Sequence, residues 1–239
     1  MEILKGINIS KKFGDLEVLK NVDFSIHDNQ IVGLIGPNGA GKTTLFNVIT
    51  GIYKPENGRV FLKDVDITGF PPNKICRLGI ARTFQNPRIF INFSIMQNVK
   101  LAERFGKQFK SKDSRIERIL NFVNLSHKAN KMAYETSLFE RRLLEIAMAL
   151  ATNPKIVLLD EPLSGLSSEE LKFGMDLIER IRSDLGISVF WIEHRMEAIM
   201  RIADKIIVLN AGEKIADGSP AEIAHDKKVI EAYLGETTW

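Results

Sequence analysis

The chain has 239 residues, a formal net charge of +3, 44% apolar and 26% charged side chains, and one Cys. Composition of this kind belongs to one or two compact domains and excludes wholesale disorder. A single Cys excludes a disulfide framework and any CxxC pair, and four scattered His give no metal cluster. So mild a basic excess does not argue for nucleic acid as a partner. No apolar run approaches the roughly 18–20 residues of a membrane span, and the N-terminus lacks a basic start followed by an apolar stretch. The expectation is a cytoplasmic location.

In chain order, residues 7–10 and 22–26 read as strands separated by a polar turn over 11–17. Residues 31–35 form a short β-branched run ending in Gly36-Pro37-Asn38-Gly39, which reads as a buried strand. Residues 43–50 read as a helix closed by Gly51. Asn57-Gly58 reads as a turn leading into an edge strand or hairpin over 59–67. From 95 to 151 there is no Pro and one Gly, and apolar residues recur at helical spacing, as in Leu143, Leu144, Ile146, Ala147 and Leu150. Strand and helix signals then alternate: strand 156–159, helix 168–185, strand 187–192, helix 196–202, strand 205–209, a turn at 210–213 into 214–216, and a terminal helix over 226–234. This alternation predicts an α/β fold with a mostly parallel core sheet, an antiparallel β portion and an inserted helical subdomain. The division is 1–94 with 152–239 as the core, and 95–151 as the helical insert.

Gly36-Pro37-Asn38-Gly39-Ala40-Gly41-Lys42-Thr43, followed by Thr44, fits G-x-x-x-x-G-K-[ST]. Glycines let backbone N–H groups curl round phosphate oxygens, and a helix beginning near Lys42 points its positive end at them. Lys42 then reaches the β- and γ-phosphates, and the Thr43 hydroxyl ligates Mg²⁺. The strand before this loop and the helix after it strengthen the reading. No Asn-Lys-x-Asp base-reading motif of a GTPase occurs, and no lid or acceptor site of a small-molecule kinase is visible. A second apolar strand ends in Asp160-Glu161-Pro162. An acid so placed holds Mg²⁺, and a neighbouring carboxylate polarises a water in line with the γ-phosphate. Asp160 takes the metal role and Glu161 the base role; the plainer alternative is a loop cap beside a solvated acid.

With these motifs the sequence resembles the ATP-binding-cassette (ABC) transporter ATPases along nearly its whole length. The resemblance implies ATP and Mg²⁺ as ligands, Gln85 as the residue that reaches Mg²⁺ and the attacking water, and His194 in Trp191-Ile-Glu-His194 as a switch on the γ-phosphate. It also places Phe13 against adenine and Leu163–Ser167 in a loop that communicates across a dimer. Residues 67–72, 79–85 and 229–235 look like those of ATPases of branched-chain amino-acid importers; urea, amide and lipopolysaccharide-exporting ATPases share part of the pattern. The implied partners are a second ABC ATPase subunit and two membrane permease subunits at the cytoplasmic face of the membrane, with a solute-binding protein acting indirectly. Arg88, Ile89 and Phe90 are expected to offer the surface for the membrane subunit. Nucleic acid is not an expected partner.

The signature Leu-Ser-Gly-Gly-Gln is altered. Here it reads Thr136-Ser137-Leu138-Phe139-Glu140, in which Ser137 alone survives. The resemblance puts Ser137 against the other subunit's nucleotide. Phe139 would add a bulky ring there and Glu140 a like charge near a polyanion, although Ser137-x-x-Glu140 also makes a good capping box. Ser167 and Arg195 both stand where Asp is common. Two readings follow: an energy-coupling ATPase, or a cassette that binds ATP and hydrolyses it weakly as one half of a heterodimer.

Overall fold

The computed structural model describes residues 1–106 and 113–234. Residues 107–112 of the helical section, and Gly235 with the rest of the C-terminal stretch, lie outside the described residues. Strands β1 (Glu2–Phe13) and β2 (Leu16–His27) form a long hairpin. Then come β3 (Ile31–Ile35), α1 (Lys42–Ile49), β4 (Asn57–Leu62), β5 (Val65–Asp66), α2 (Pro72–Leu78) and β6 (Ile80–Arg82). Helices α3 (Ile95–Glu103), α4 (Asp113–Phe122) and α5 (Leu138–Ala151) follow. The chain finishes through β7 (Ile156–Asp160), α6 (Ser168–Ser183), β8 (Ser188–Ile192), α7 (Met196–Ile202), β9 (Lys205–Asn210), β10 (Glu213–Gly218), α8 (Pro220–His225) and α9 (Lys227–Leu234).

Two sheets result, and the α/β architecture is the expected one. A four-stranded antiparallel sheet runs β2-β1-β4-β5, and a six-stranded sheet runs β10-β9-β3-β8-β7-β6. In the second, β9, β3, β8, β7 and β6 are parallel and β10 is antiparallel. Its central strands β3, β7 and β8 are buried throughout, as near-continuous apolar runs require when both faces are covered. Period-two alternation divides their side chains between two cores. Leu158, Phe190 and Ile192 face Phe46 and Ile49 of α1 and the antiparallel sheet. Val157, Leu159, Val189 and Trp191 face the helices, and this core runs on through Val99, Ile116, Leu120, Leu144 and Ala147 of α3–α5. The helical section therefore shares its apolar side with the sheet.

Two expectations are corrected. The polar stretch 11–17 is not a turn: β1 and β2 pair as far as Phe13↔Leu16, and only Gly14 and Asp15 connect them. Its charged residues are taken up in ion pairs, Lys11 with Glu56 and Lys12 with Glu17, so their polarity does not argue against a strand. Asn57-Gly58 opens β4, whose register against β1 shifts between Ile7 and Ser10; the tight turn falls at Lys63 and Asp64, before β5. Asn8, at a φ of 51°, lies in the shifted segment of β1. Elements α2, β6 and α8 were also not anticipated; each has three to seven residues, too few for a periodic signal.

Candidate functional site

Four adjacent parallel strands deliver the candidate residues to one edge. The loop 36–41 leaves the carboxyl end of β3, His194 follows β8, Asp160 and Glu161 follow or end β7, and Gln85 follows β6. Crevices beyond the carboxyl ends of such strands are where open α/β sheets take ligands. A cleft of about 270 Å³ there is lined by Val18, Asn38 to Thr44, Gln85, Glu161 and His194.

The loop is shaped by its glycines. Gly36 has a φ of 148°, and a Cβ on it would stand 2.0 Å from Leu209 O; at Gly41, φ 101°, it would stand 2.8 Å from Val18 O. Only glycine fits such close backbone approaches. Lys42 is buried and donates from Nζ to Gly36 O at 2.6 Å and Pro37 O at 2.9 Å. The loop thus wraps its own ammonium group at the positive end of α1.

Glu161 takes a φ of 50°, rare for a side chain other than Asn or Asp. Its N–H donates to Ile192 O at 2.9 Å, and its carbonyl accepts from Arg142 Nη1 at 2.6 Å. The carboxylate is held on both oxygens: Gln85 Nε2 donates to Oε2 at 2.9 Å, and His194 Nε2 lies 2.7 Å from Oε1. An ionised carboxylate only accepts, so the tautomer of His194 that bonds to it is the one with the proton on Nε2. Asp160 sits behind this group and pairs with Arg82 at 2.7 Å, both side chains being almost fully buried. Burial pushes the Asp160 carboxyl up and the Arg82 guanidinium down from their ordinary values, and the contact between them opposes both shifts. Asp160 Oδ1 has no hydrogen-bond partner among the described residues.

Two further buried acids organise the loops. Glu193 accepts from the backbone N–H groups of Leu163 and His194, and its burial pushes its carboxyl up. Glu145 of α5 accepts from Phe84 N at 3.2 Å and Arg88 N at 2.8 Å; burial pushes it up to about 7 against those bonds. Neither acid, nor Val18 or Arg82, was among the candidates from sequence. An acid inside an apolar run, as in Leu143-Leu144-Glu145-Ile146, was the available signal for Glu145.

The other candidates stand apart from the cleft lining. Phe13 is 43% exposed at the hairpin end, with its ring 5.1 Å from Tyr53 in an edge-on contact. Ser137 is the N-cap of α5, and the capping box exists as expected: its hydroxyl accepts from Glu140 N, and its N–H donates to Glu140 Oε2 at 2.8 Å. Glu140 also pairs with Lys128, which holds its carboxyl below the usual range despite burial. The Phe139 ring packs edge-on to Phe173 of α6 at 5.8 Å. The charge and ring expected to obstruct a second subunit are thus engaged within this chain. Ser167 likewise caps α6 through Glu170, and Arg195 Nη2 donates to Leu166 O at 3.2 Å.

A phosphate loop after β3, with two acids at the carboxyl end of β7, a parallel strand one place beyond β8, defines a P-loop nucleoside triphosphatase. Residues 19–164 match the ABC transporter family, and residues 213–237 match a branched-chain amino acid ATP-binding cassette transporter family. The chain is 37% identical to the high-affinity branched-chain amino acid transport ATP-binding protein BraF of Pseudomonas aeruginosa, covering 98% of each. It is 38% identical to the corresponding protein LivG of Escherichia coli, again over 98% of each. The crystal structure of an ATP-binding cassette of an ABC transporter in its ADP conformation superposes with a TM-score of 0.90 at 33% identity, covering 98% of this chain and 99% of that one. The chain belongs to the ABC transporter family and is one of its ATP-binding-cassette ATPases.

Replacing Arg82 by Met leaves Asp160 buried without its counter-charge. The expected cost is about 3 kcal/mol of folding stability, measured by urea unfolding of the purified chain without nucleotide.

Proposed function

We propose that this chain hydrolyses ATP to drive an importer of branched-chain amino acids. The carrying observation is the Glu161 carboxylate, fixed between Gln85 and His194 in the cleft that also holds Lys42. The relatives' names and the match over residues 213–237 support the solute class.

Lys42 and the backbone N–H groups of residues 38–44 bind the β- and γ-phosphates, with Phe13 as the adenine contact. Thr43, Asp160 and Gln85 form an oxygen-donor set that suits Mg²⁺, and the unpartnered Asp160 Oδ1 is the oxygen open to it or to its water shell. Bound there, Mg²⁺ neutralises charge developing on the phosphate oxygens. Glu161 accepts the proton of the attacking water, while His194 and Gln85 hold its carboxylate in one orientation.

The described residues of 95–151 are the helical part carrying the signature, which faces the nucleotide of a second ATPase subunit. That subunit and two membrane permease subunits complete the assembly at the cytoplasmic face of the membrane. No helix among the described residues is long and apolar enough to cross a membrane. Within the docking region expected over 85–93, Arg88 is exposed although it stacks on Phe84, Ile89 instead packs on the core, and the apolar residues Phe90, Ile91 and Phe93 are 40–51% exposed. These three residues are the proposed contact for the membrane subunits.

The altered signature supports a second reading, in which this chain is one half of a heterodimer. Its own Lys42, Asp160, Glu161 and His194 then work against a partner's intact signature, and the opposite site is weak.

Two outcomes follow. Lys42→Ala is expected to weaken ATP binding by about tenfold or more in a calorimetric titration, and to reduce labelled leucine uptake by the assembled transporter to background. Unchanged affinity would remove the phosphate role of the loop, and uptake of urea alone would change the solute class. Phe139→Gly with Glu140→Gln is expected to raise steady-state turnover of the chain alone on the order of tenfold, at some cost in α5 capping. Equal rates would remove the reason for a heterodimer.

A further inference from the structure

Between Arg82 at the end of β6 and Ile95 at the start of α3 the chain has no helix or strand. Its buried N–H groups must therefore find acceptors elsewhere. Two buried polar side chains on helices supply them. Asn98 of α3 holds the later part, accepting from Phe90 N at 2.8 Å and donating to Phe90 O at 3.0 Å. Glu145 of α5 holds the earlier part: Oε2 accepts from Phe84 N and Oε1 from Arg88 N. These two amides bracket Gln85.

Arg142 and Glu145 stand three positions apart and so share a face of α5. Arg142 Nη1 grips the carbonyl of Glu161. One helix face thus holds the main chain on both sides of the hydrogen bond from Gln85 Nε2 to Glu161 Oε2. A carboxylate is a costly choice for this place. Glu145 is 5% exposed, among Leu143, Leu144, Ile146 and Ala147 on a helix that otherwise buries apolar residues. A leucine would suit such surroundings but would leave both amides without acceptors.

We propose that Glu145 is the positioning residue of the Gln85 loop, clamping the main chain at Phe84 and Arg88 so that Gln85 reaches Glu161 and follows any displacement of α5. The proposal rests on the hydrolytic roles given above to Gln85 and Glu161. It also gives α5 a second task. The helix that begins at the altered signature sets the loop that carries the exposed Phe90 and Ile91, so a shift of its N-terminus reaches Gln85 through Glu145.

The test uses the full-length chain with Glu145→Gln, which keeps shape and one good acceptor, and Glu145→Leu, which keeps neither acceptor. Amide hydrogen exchange is the first readout. Exchange at Phe84 and Arg88 is expected to quicken by about tenfold or more in Glu145→Leu and by less in Glu145→Gln, with the amides of β7 unaffected. Steady-state hydrolysis at saturating ATP is the second. Turnover is expected to fall by about tenfold with little change in KM, and Glu145→Gln should recover part of it. Added to Gln85→Ala, the Glu145 change should cause no further loss, since it acts through Gln85. Unchanged exchange at Phe84 and Arg88, or losses that multiply in the double variant, would overturn the proposal. Were Gln85→Ala itself harmless, the hydrolytic role of Gln85 would fall while the exchange data still decided whether Glu145 clamps the loop. If Glu145→Leu does not fold, exchange in Glu145→Gln decides the matter alone.

Discussion

The whole site depends on β8 lying between β3 and β7. Because those strands are parallel, their carboxyl ends open on the same edge, and three segments far apart in sequence become neighbours there. Burial of both sheet faces fixes the order. Val157, Leu159 and Trp191 point into one core and Leu158, Phe190 and Ile192 into the other, so a one-residue slip would exchange every side chain between cores. With β6 added beside β7, Gln85 joins the group. The backbone of Glu161, in the left-handed region and hydrogen-bonded to Ile192, then turns its carboxylate toward the phosphate loop.

Around that framework, irregular loops are held by charged groups withdrawn from water. Asp160 is paired with Arg82, Glu193 ties Leu163 to His194, and Glu145 ties the Gln85 loop to α5. Such groups are unfavourable in an apolar interior unless their hydrogen bonds are made. Their gain lies in direction, since each places a functional loop on a rigid element. The same logic accounts for the altered signature. Glu140 is spent on capping α5 and on Lys128, and Phe139 on Phe173, so substitutions that depart from the family pattern make local contacts that keep α5 in place.

What the sequence revealed follows from how local each signal is. The strand at 31–35 and the helix at 196–202 were read with their observed bounds, because both are bounded by clear turn or charge signals. Asn57-Gly58 misled, since the dipeptide reports a permissive backbone and cannot say whether a turn or a register shift uses it. Lys42, Thr43, Asp160 and Glu161 were candidates because their motifs have fixed spacing, and the fold brings Lys42, Thr43 and Glu161 to one cleft with Asp160 behind it. Arg82, Glu145 and Val18 were not read as site residues. Their contacts arise from segments that meet only in the folded chain; Arg82 and Val18 have no motif spacing to betray them, and for Glu145 the only signal was an acid inside an apolar run.

In the proposed hydrolysis the Glu161 carboxylate, held by Gln85 and His194, takes the proton of the attacking water. The most direct measurement compares ATP binding and steady-state hydrolysis in Glu161→Gln and the unaltered chain, within the assembled transporter. The amide keeps nearly the same shape but cannot act as a base. The expected result is ATP affinity within about twofold of the unaltered chain and turnover lower by about a hundredfold or more. Hydrolysis at the unaltered rate would contradict it.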